Sequence, residues 1–161
     1  MARQHVHDSP RERILHGLPV EQRQLDIDGT ATSVLEGGQG SPFVLLHGGI
    51  QAGGVVWWRV VRQLAGRHRL VIPDLPGLGD SEPLARLDAA SVAAWLAALV
   101  QRTCIEPPTL VAHSAPGGLA ARFAADHSGL LRRLVLVDAA GLGSFRPSPR
   151  FVAALLRSNL R

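Results

Sequence analysis

Four short apolar runs, separated by longer stretches of helical spacing, constrain the fold of this chain more than any other feature of its sequence. None of the four alternates with polar residues, which is typical of parallel strands that are buried on both faces. Between the runs, apolar residues recur at every third or fourth position, as on one face of a helix. This rhythm predicts an α/β fold with a doubly wound, mostly parallel sheet. The runs are residues 43–46, 70–72, 109–112 and 134–137.

Two further short strands are expected before the first of these runs. Residues 22–27 and 31–35 flank Asp28-Gly29, a dipeptide that favours the tight turn of a β-hairpin. The sheet should therefore begin with an antiparallel hairpin. Asp88 is placed to cap the helix that precedes the third run. The whole chain has 161 residues, which is the usual size of a single domain.

All seventeen basic residues are arginines, and the absence of lysine excludes several chemistries. They include the lysine of a phosphate-binding P-loop, a lysine Schiff base and the lysine of a protein kinase. The net charge of +4 does not indicate nucleic-acid binding, because the arginines are scattered and only 4% of the residues are aromatic. A single cysteine, Cys104, fits a reducing compartment, and no apolar run reaches the roughly 18 residues of a membrane-spanning helix. We therefore expect a cytoplasmic protein without a nucleic-acid or membrane partner.

A serine follows the third apolar run, at the strand end where ligands bind in open α/β sheets. Ser114 lies between this run and the start of a helix. A tight turn there exposes the hydroxyl, and the helix N-terminus offers backbone N–H groups and the positive end of its dipole. An acyl-transfer nucleophile needs this arrangement because negative charge develops on the substrate oxygen. Ser114 is therefore the candidate nucleophile, and the N–H groups of Gly49 and Ala115 are the candidate oxyanion hole.

Four motifs occur along the chain in a characteristic order. They are LLHGG at 45–49, PDLPGLGDSE at 73–82, LVAHSAPGG at 110–118 and LRRLVLVDAAGLG at 131–143. In order and spacing they resemble the α/β-hydrolase fold superfamily, in particular its small serine hydrolases, over residues 25–143. The resemblance implies a hydrolase that cleaves an ester-like bond of a small-molecule substrate through a Ser–acid–His triad. It also implies that no cofactor takes part, and we expect no bound metal.

The turn around Ser114 departs from the G-x-S-x-G elbow of the family. It reads Ala112-His113-Ser114-Ala115-Pro116. Alanine in the place of the first glycine is a mild change, whereas proline disfavours α geometry at the residue before it. Proline is compatible with the first turn of a helix, where its missing N–H needs no partner. We expect an elbow that is present and distorted.

The acid and the base of the triad are less well defined than the nucleophile. In the family the acid follows the serine and the histidine comes last. Asp138, after the fourth run, is a candidate acid and is equally consistent with a structural residue at a strand end. No histidine follows it, and His127 lies late on the helix after Ser114. Two interpretations remain: an incomplete serine hydrolase, and a non-catalytic truncated relative that retains only a binding pocket.

The resemblance divides the chain into three segments. Residues 1–18 are expected to be a flexible N-terminal lead, residues 19–145 the N-terminal part of a truncated α/β-hydrolase core, and residues 146–161 the start of a cap, or lid. In such a fold the strand at 134–137 becomes an edge of the sheet with no charge and no proline to protect it. We therefore expect self-association through this edge.

Other polar residues at the strand ends are expected to be structural. His113 is interpreted as a packing residue beside the nucleophile, because a base would need a different geometry. His47 is expected to brace its loop by hydrogen bonds. Asp74, Asp80 and Ser81 are expected to organise a turn through bonds from side chain to backbone.

Overall fold

A six-stranded sheet flanked by helices forms the molecule in the computed structural model, which describes residues 9–49 and 51–142. In chain order the elements are α1 (Pro10–Leu15), β1 (Glu21–Ile27), β2 (Thr30–Gly37), β3 (Ser41–Leu46), α2 (Trp58–Ala65), β4 (His68–Pro73), α3 (Ala89–Thr103), β5 (Thr109–His113), α4 (Pro116–Asp126) and β6 (Arg133–Val137). The strand order is β1-β2-β4-β3-β5-β6. β4, β3, β5 and β6 are parallel, and the β1–β2 hairpin pairs antiparallel with β4. The predicted α/β fold with an N-terminal antiparallel hairpin is confirmed.

Both faces of the central strands are covered by helices. Val44 of β3 belongs to a buried cluster with Trp95 of α3 and Phe123 of α4. The next residue, Leu45, belongs to a second cluster on the opposite face, with Val61 of α2. Successive side chains of a strand point to opposite faces, so a strand covered on both sides needs apolar residues at every position. This explains the uninterrupted apolar runs of the sequence.

The β1–β2 hairpin has the turn that its sequence predicts. Asp28 and Gly29 have φ angles of 51° and 78°, and positive φ at both central residues defines a type I′ turn. The carboxylate of Asp26 accepts a hydrogen bond from the N–H of Gly29 at 2.7 Å. The turn fixes the register, which pairs Ile27 with Thr30.

Within residues 1–18, which were expected to be a flexible lead, the structure describes residues 9–18 and differs from that expectation over residues 10–15. Residues 10–15 form helix α1, which begins with a capping box: Ser9 Oγ accepts from the N–H of Glu12, and the Glu12 carboxylate accepts from the N–H of Ser9. The helix is tied to the rest of the molecule by an ion pair of 2.9 Å between Arg11 and the buried Asp74. These contacts are the physical reason for the correction. The predicted cap segment, 146–161, lies outside the described residues.

Strand β6 is more exposed than its apolar sequence led us to expect. Val135 and Leu136 are 41% and 36% exposed, and in the described part of the chain β6 pairs only with β5. The expectation that all four runs are buried on both faces is wrong for this strand, because it lies at the edge of the sheet. None of the helices within residues 9–49 and 51–142 is long and apolar enough to cross a membrane.

Candidate active site

Ser114 occupies a sharp turn between β5 and α4. Its φ angle is 62°, which is the left-handed region that a non-glycine residue adopts only when its surroundings enforce it. Three backbone hydrogen bonds do so. The N–H of Ser114 donates to the carbonyl of Val137 at 2.9 Å, and the carbonyl of Ser114 accepts from Gly117 at 2.9 Å and from Ala140 at 3.0 Å. The turn is thus held by the end of β6, by the loop after it and by the first turn of α4.

Pro116 does not distort this turn, contrary to the expectation from the sequence. Ala115 has φ −53° and ψ −41°, which is α geometry, and Pro116 is the first residue of α4. Proline at this position loses no hydrogen bond, because the first N–H groups of a helix have no partner within it. The bonds that fix the carbonyl of Ser114 outweigh the steric preference of a residue before proline.

Close approach between α4 and the loop after β6 depends on a glycine. A Cβ placed on Gly117 would overlap the Cβ of Ala139 and would lie 2.9 Å from its Cα. At this position α4 therefore packs directly on the backbone that also holds Ser114 through Ala140. The family elbow has a glycine one position earlier, where this chain has Pro116.

The loop after β3 lies directly against the elbow, as the two candidate oxyanion-hole residues require. A Cβ on Gly48 would lie 3.4 Å from the Cβ of Ser114, and a Cβ on Gly49 would lie 4.0 Å from the Cβ of Ala115. Within residues 9–49 and 51–142, the N–H groups of Gly49 and Ala115 donate no hydrogen bond to another group. The structure therefore brings together Ser114 and two backbone donors that have no acceptor in the described part of the chain.

His47 braces the loop after β3. Its side chain is fully buried, its Nε2 accepts from the N–H of Leu75 at 2.9 Å, and its Nδ1 lies 2.6 Å from the carbonyl of Gly48. Because Nε2 accepts, Nδ1 carries the proton and donates to Gly48. Burial lowers the pKa of His47, which favours the neutral ring that this pattern needs. The expected bracing role agrees with these contacts.

Asp74 organises the loop after β4, as expected from the sequence. Its buried carboxylate accepts from the N–H groups of Gly54 at 2.6 Å and Asp80 at 3.0 Å. Its backbone carbonyl accepts from the hydroxyl of Ser81 at 2.8 Å. The third partner of the carboxylate is Arg11 on α1, and the sequence analysis did not predict this contact. The capping box at residues 9–12 could have indicated α1, but nothing in the sequence pairs Arg11 with a residue 63 positions away.

Among the described residues, no histidine side chain forms a hydrogen bond with Ser114 or Asp138. Asp138 is exposed at the end of β6, and its φ angle of 46° is left-handed, like that of Ser114. His113 lies edge-on to the ring of Trp57, with centroids 6.2 Å apart. His127 stacks on the ring of Phe123 at the far end of α4, whose eleven residues span roughly 16 Å.

No group of three or more His, Cys, Asp or Glu in the described part of the chain could hold a metal ion.

An apolar groove of about 740 Å³ opens beside the two candidate oxyanion donors. Gly49 and Ala115 are among its lining residues, together with residues of α3, including Trp95, of α4 and of the loop after β4. The charged or titratable groups of its lining, Arg122, Asp126 and His127, belong to the end of α4. The groove can therefore accept an apolar group that begins at the elbow.

Fold and elbow together define a class of protein, the α/β hydrolases with a nucleophile on a strand-to-helix turn. Residues 41–157 match the family model described as the alpha/beta hydrolase fold. The chain belongs to this family.

Relatives within the family carry different activities in their names. The chain is 33% identical over 120 residues to a soluble epoxide hydrolase of Corynebacterium sp. (strain C12), covering 74% of this chain and 42% of the relative. It is 41% identical over 115 residues to a pimeloyl-[acyl-carrier protein] methyl ester esterase of Chromobacterium violaceum, covering 71% of this chain and 40% of that protein. Among solved structures, Cfl2 of Burkholderia cenocepacia matches with a TM-score of 0.72 and 35% identity, over 88% of this chain and 49% of Cfl2. The chain thus spans less than half of each of these proteins.

Proposed function

We propose that this chain supplies the serine nucleophile and the oxyanion hole of a hydrolase that cleaves an ester-like bond in a small molecule. The observation that carries this proposal is the left-handed backbone of Ser114 beside the amides of Gly49 and Ala115, which donate to no acceptor among the described residues. Backbone strain of this kind persists where the structure enforces it, and it is concentrated at functional sites. Relatives named as hydrolases of an epoxide and of an ester support the general class.

In the proposed reaction, Ser114 Oγ forms a bond to the carbonyl carbon of the substrate while the carbonyl electrons move onto its oxygen. The N–H groups of Gly49 and Ala115 donate to this oxyanion, and the positive end of the α4 dipole adds to the stabilisation. The hydroxyl proton passes to a base, and the leaving group departs with a proton. Water then hydrolyses the acyl-serine and restores the hydroxyl.

The base of this reaction is the part that the described residues do not supply. His113 packs against Trp57, and His127 lies at the far end of α4. Asp138 could orient a base only if a histidine from elsewhere in the whole protein reached it. We therefore propose that this chain alone is an incomplete hydrolase, with Asp138 as its candidate acid and a cytoplasmic location. Neither a nucleic acid nor a membrane is part of the proposal.

The apolar groove supports a substrate with an apolar portion next to the reacting carbonyl. Burial of such a portion contributes roughly 25 cal/mol for each Å² removed from water. The alternative proposal is a non-catalytic relative that binds a small molecule in this groove. It is favoured by the absence of a hydrogen bond between Ser114 and a histidine side chain within residues 9–49 and 51–142.

Covalent labelling by a fluorophosphonate separates these proposals. General-base assistance contributes about 10²–10⁴-fold, so we expect slow phosphonylation that mass spectrometry assigns to Ser114. Added imidazole, which can act as an external base, should raise the rate in proportion to its concentration, after correction for hydrolysis of the probe. Ser114→Ala should abolish the adduct, whereas the matched change Ser128→Ala, at an exposed serine, should leave it unchanged.

Two results would contradict the incomplete-hydrolase proposal. Fast stoichiometric labelling without imidazole would mean that this chain already contains a working base. No adduct on Ser114, even at high imidazole concentration, would mean that the serine is not a nucleophile and would favour the binding-only alternative.

We also propose that β6 mediates self-association through its unpaired edge. Val135 and Leu136 present apolar surface there, and unprotected edges pair with other strands. Sedimentation velocity should detect a dimer or larger species whose population rises with protein concentration. Leu136→Lys should shift the protein towards the monomer, while Ile105→Lys, at a fully exposed site outside the strand, should not. A monomer at all concentrations would refute this proposal.

A further inference from the structure

Arg11 of helix α1 connects the loop after β3, which carries Gly49, with the loop after β4 and with strand β1. Its Nη1 donates to the carbonyl of Ala52 in the loop after β3, at 2.9 Å. Its Nη2 donates to Asp74 in the loop after β4, also at 2.9 Å. Its Nε lies 3.2 Å from a carboxylate oxygen of Asp80 and 3.3 Å from the amide oxygen of Gln22 on β1. The planar guanidinium, with its fork of donors, suits a position between several acceptors.

We propose that Arg11 is a positioning residue that holds the loop carrying Gly49 in the geometry needed for an oxyanion hole. The proposal rests on the function proposed above and assigns a role to a helix outside the family motifs. The hydrogen-bond partners of Arg11 include neither Ser114 nor a residue of the groove lining. Its effect on Gly49 must therefore pass through the residues between them.

Two routes connect Arg11 with the loop after β3. The direct route is the bond to Ala52, three residues after Gly49 in the sequence. The indirect route passes through Asp74, whose carboxylate accepts from the N–H of Gly54, two residues after Ala52. Two positions of this segment, Ala52 and Gly54, are thus bonded to one ion pair.

The same ion pair also supports the brace formed by His47. Leu75, the residue after Asp74, donates its N–H to Nε2 of His47, whose Nδ1 donates to Gly48. Arg11 fixes the backbone at Asp74, the position of Leu75 follows, and His47 then fixes the carbonyl next to Gly49. A displacement of the ion pair would therefore move the candidate oxyanion hole through a path of hydrogen bonds and peptide bonds.

Helix α1 also packs Leu15 against the buried cluster that contains Val61. None of its six residues is buried, whereas the side chain of Arg11 is 16% exposed and that of Asp74 is fully buried. A buried carboxylate without its partner is strongly disfavoured. The local structure around Asp74 therefore depends on the helix that presents Arg11.

Amide hydrogen exchange, measured by NMR on the full chain, tests this role without requiring catalysis. In Arg11→Met we expect the N–H groups of Gly54 and Leu75 to exchange at least tenfold faster relative to those in the centres of β3 and β5. The Nδ1–H signal of His47 should be lost by exchange with water. Arg11→Lys keeps the charge but lacks the fork of donors. The exchange rate of the same two N–H groups, relative to the centres of β3 and β5, should therefore rise less, by about threefold or more.

A matched substitution separates positioning from general stability. Arg23→Met removes an arginine whose ion pairs with Glu21 and Glu36 are largely exposed on the arginine side, and the exchange ratio should stay within twofold of the wild type. Equal acceleration of loop and central-strand amides in Arg11→Met would overturn the proposal, and so would an unchanged ratio. If Arg11→Met does not fold, an unchanged ratio in Arg11→Lys overturns it.

The outcome is independent of the labelling of Ser114. The exchange experiment repeated in Ser114→Ala should give the same ratios, because the hydroxyl takes no part in the Arg11 contacts. If Ser114 is not labelled but the exchange ratio rises in Arg11→Met, the proposed nucleophile is rejected and the positioning role is retained. If Ser114 is labelled but the exchange ratio is unchanged, the positioning role of Arg11 is rejected and the proposed nucleophile is retained.

Discussion

Trp95→Ala is expected to lower the free energy of unfolding by about 3–5 kcal/mol, the usual cost of truncating a buried tryptophan. Trp95 is 1% exposed and belongs to the cluster between α3, α4 and the sheet. Its Nε1 donates to Thr32 Oγ1 at 3.1 Å and so ties α3 to β2. Urea denaturation followed by far-UV circular dichroism measures the loss.

A second tryptophan in the same chain provides the control. Trp58 is 42% exposed and lies 5.1 Å from the guanidinium of Arg59, an interaction worth about 0.5–1 kcal/mol at an exposed site. Trp58→Ala should therefore cost about 1 kcal/mol. Equal losses in the two variants would mean that α3 is not packed as described. Trp95→Phe should fall between them, because Thr32 loses its donor while most of the apolar volume remains.

Gly117→Ala is expected to destabilise the protein by about 1–3 kcal/mol through overpacking, although alanine is the better helix former. The added methyl would overlap Ala139, and the loop after β6 would have to move away from α4. That loop carries Ala140, whose N–H holds the carbonyl of Ser114. Thermal unfolding should give the stability change, and fluorophosphonate labelling at a fixed imidazole concentration should slow with it.

Gly129 is the matched control for this substitution. A Cβ at Gly129 meets nothing within 4 Å, and its φ angle is not positive. Gly129→Ala should therefore change the unfolding free energy by less than about 0.5 kcal/mol and leave labelling unchanged. A Gly117→Ala variant that is as stable and as reactive as Gly129→Ala would show that α4 tolerates a larger separation from the loop.

Features that depend on neighbouring residues were predicted from the sequence. The hairpin at Asp28-Gly29 was found because its turn needs two residues that tolerate positive φ. The start of α3 was found because Asp88 accepts a hydrogen bond from Ser91, three residues later. The turn at Ser114 between a strand and a helix could be predicted because strand ends and helix starts are visible in the sequence, whereas the roles of Ser114, Gly49 and Ala115 stay predictions. Each of these signals is local.

Features that depend on distant residues were not predictable in the same way. An apolar run looks the same in a central strand and in an edge strand, so the apolar pattern alone did not indicate the exposure of β6, and only the family resemblance predicted an edge there. The ion pair between Arg11 and Asp74 joins residues 63 positions apart, and neither residue type indicates its partner. The expected distortion at Pro116 was wrong because hydrogen bonds from Gly117 and Ala140 to Ser114 oppose a purely local preference.

The left-handed backbone of Ser114 sets stability and reactivity against each other at one position. Glycine adopts this conformation without strain, whereas a residue with a Cβ is held there at a cost of order 1 kcal/mol. A library selected only for survival at high temperature would therefore accumulate glycine at position 114 and discard the hydroxyl. Stabilisation of this chain by directed evolution would need a simultaneous selection for labelling, or a library that leaves this codon fixed.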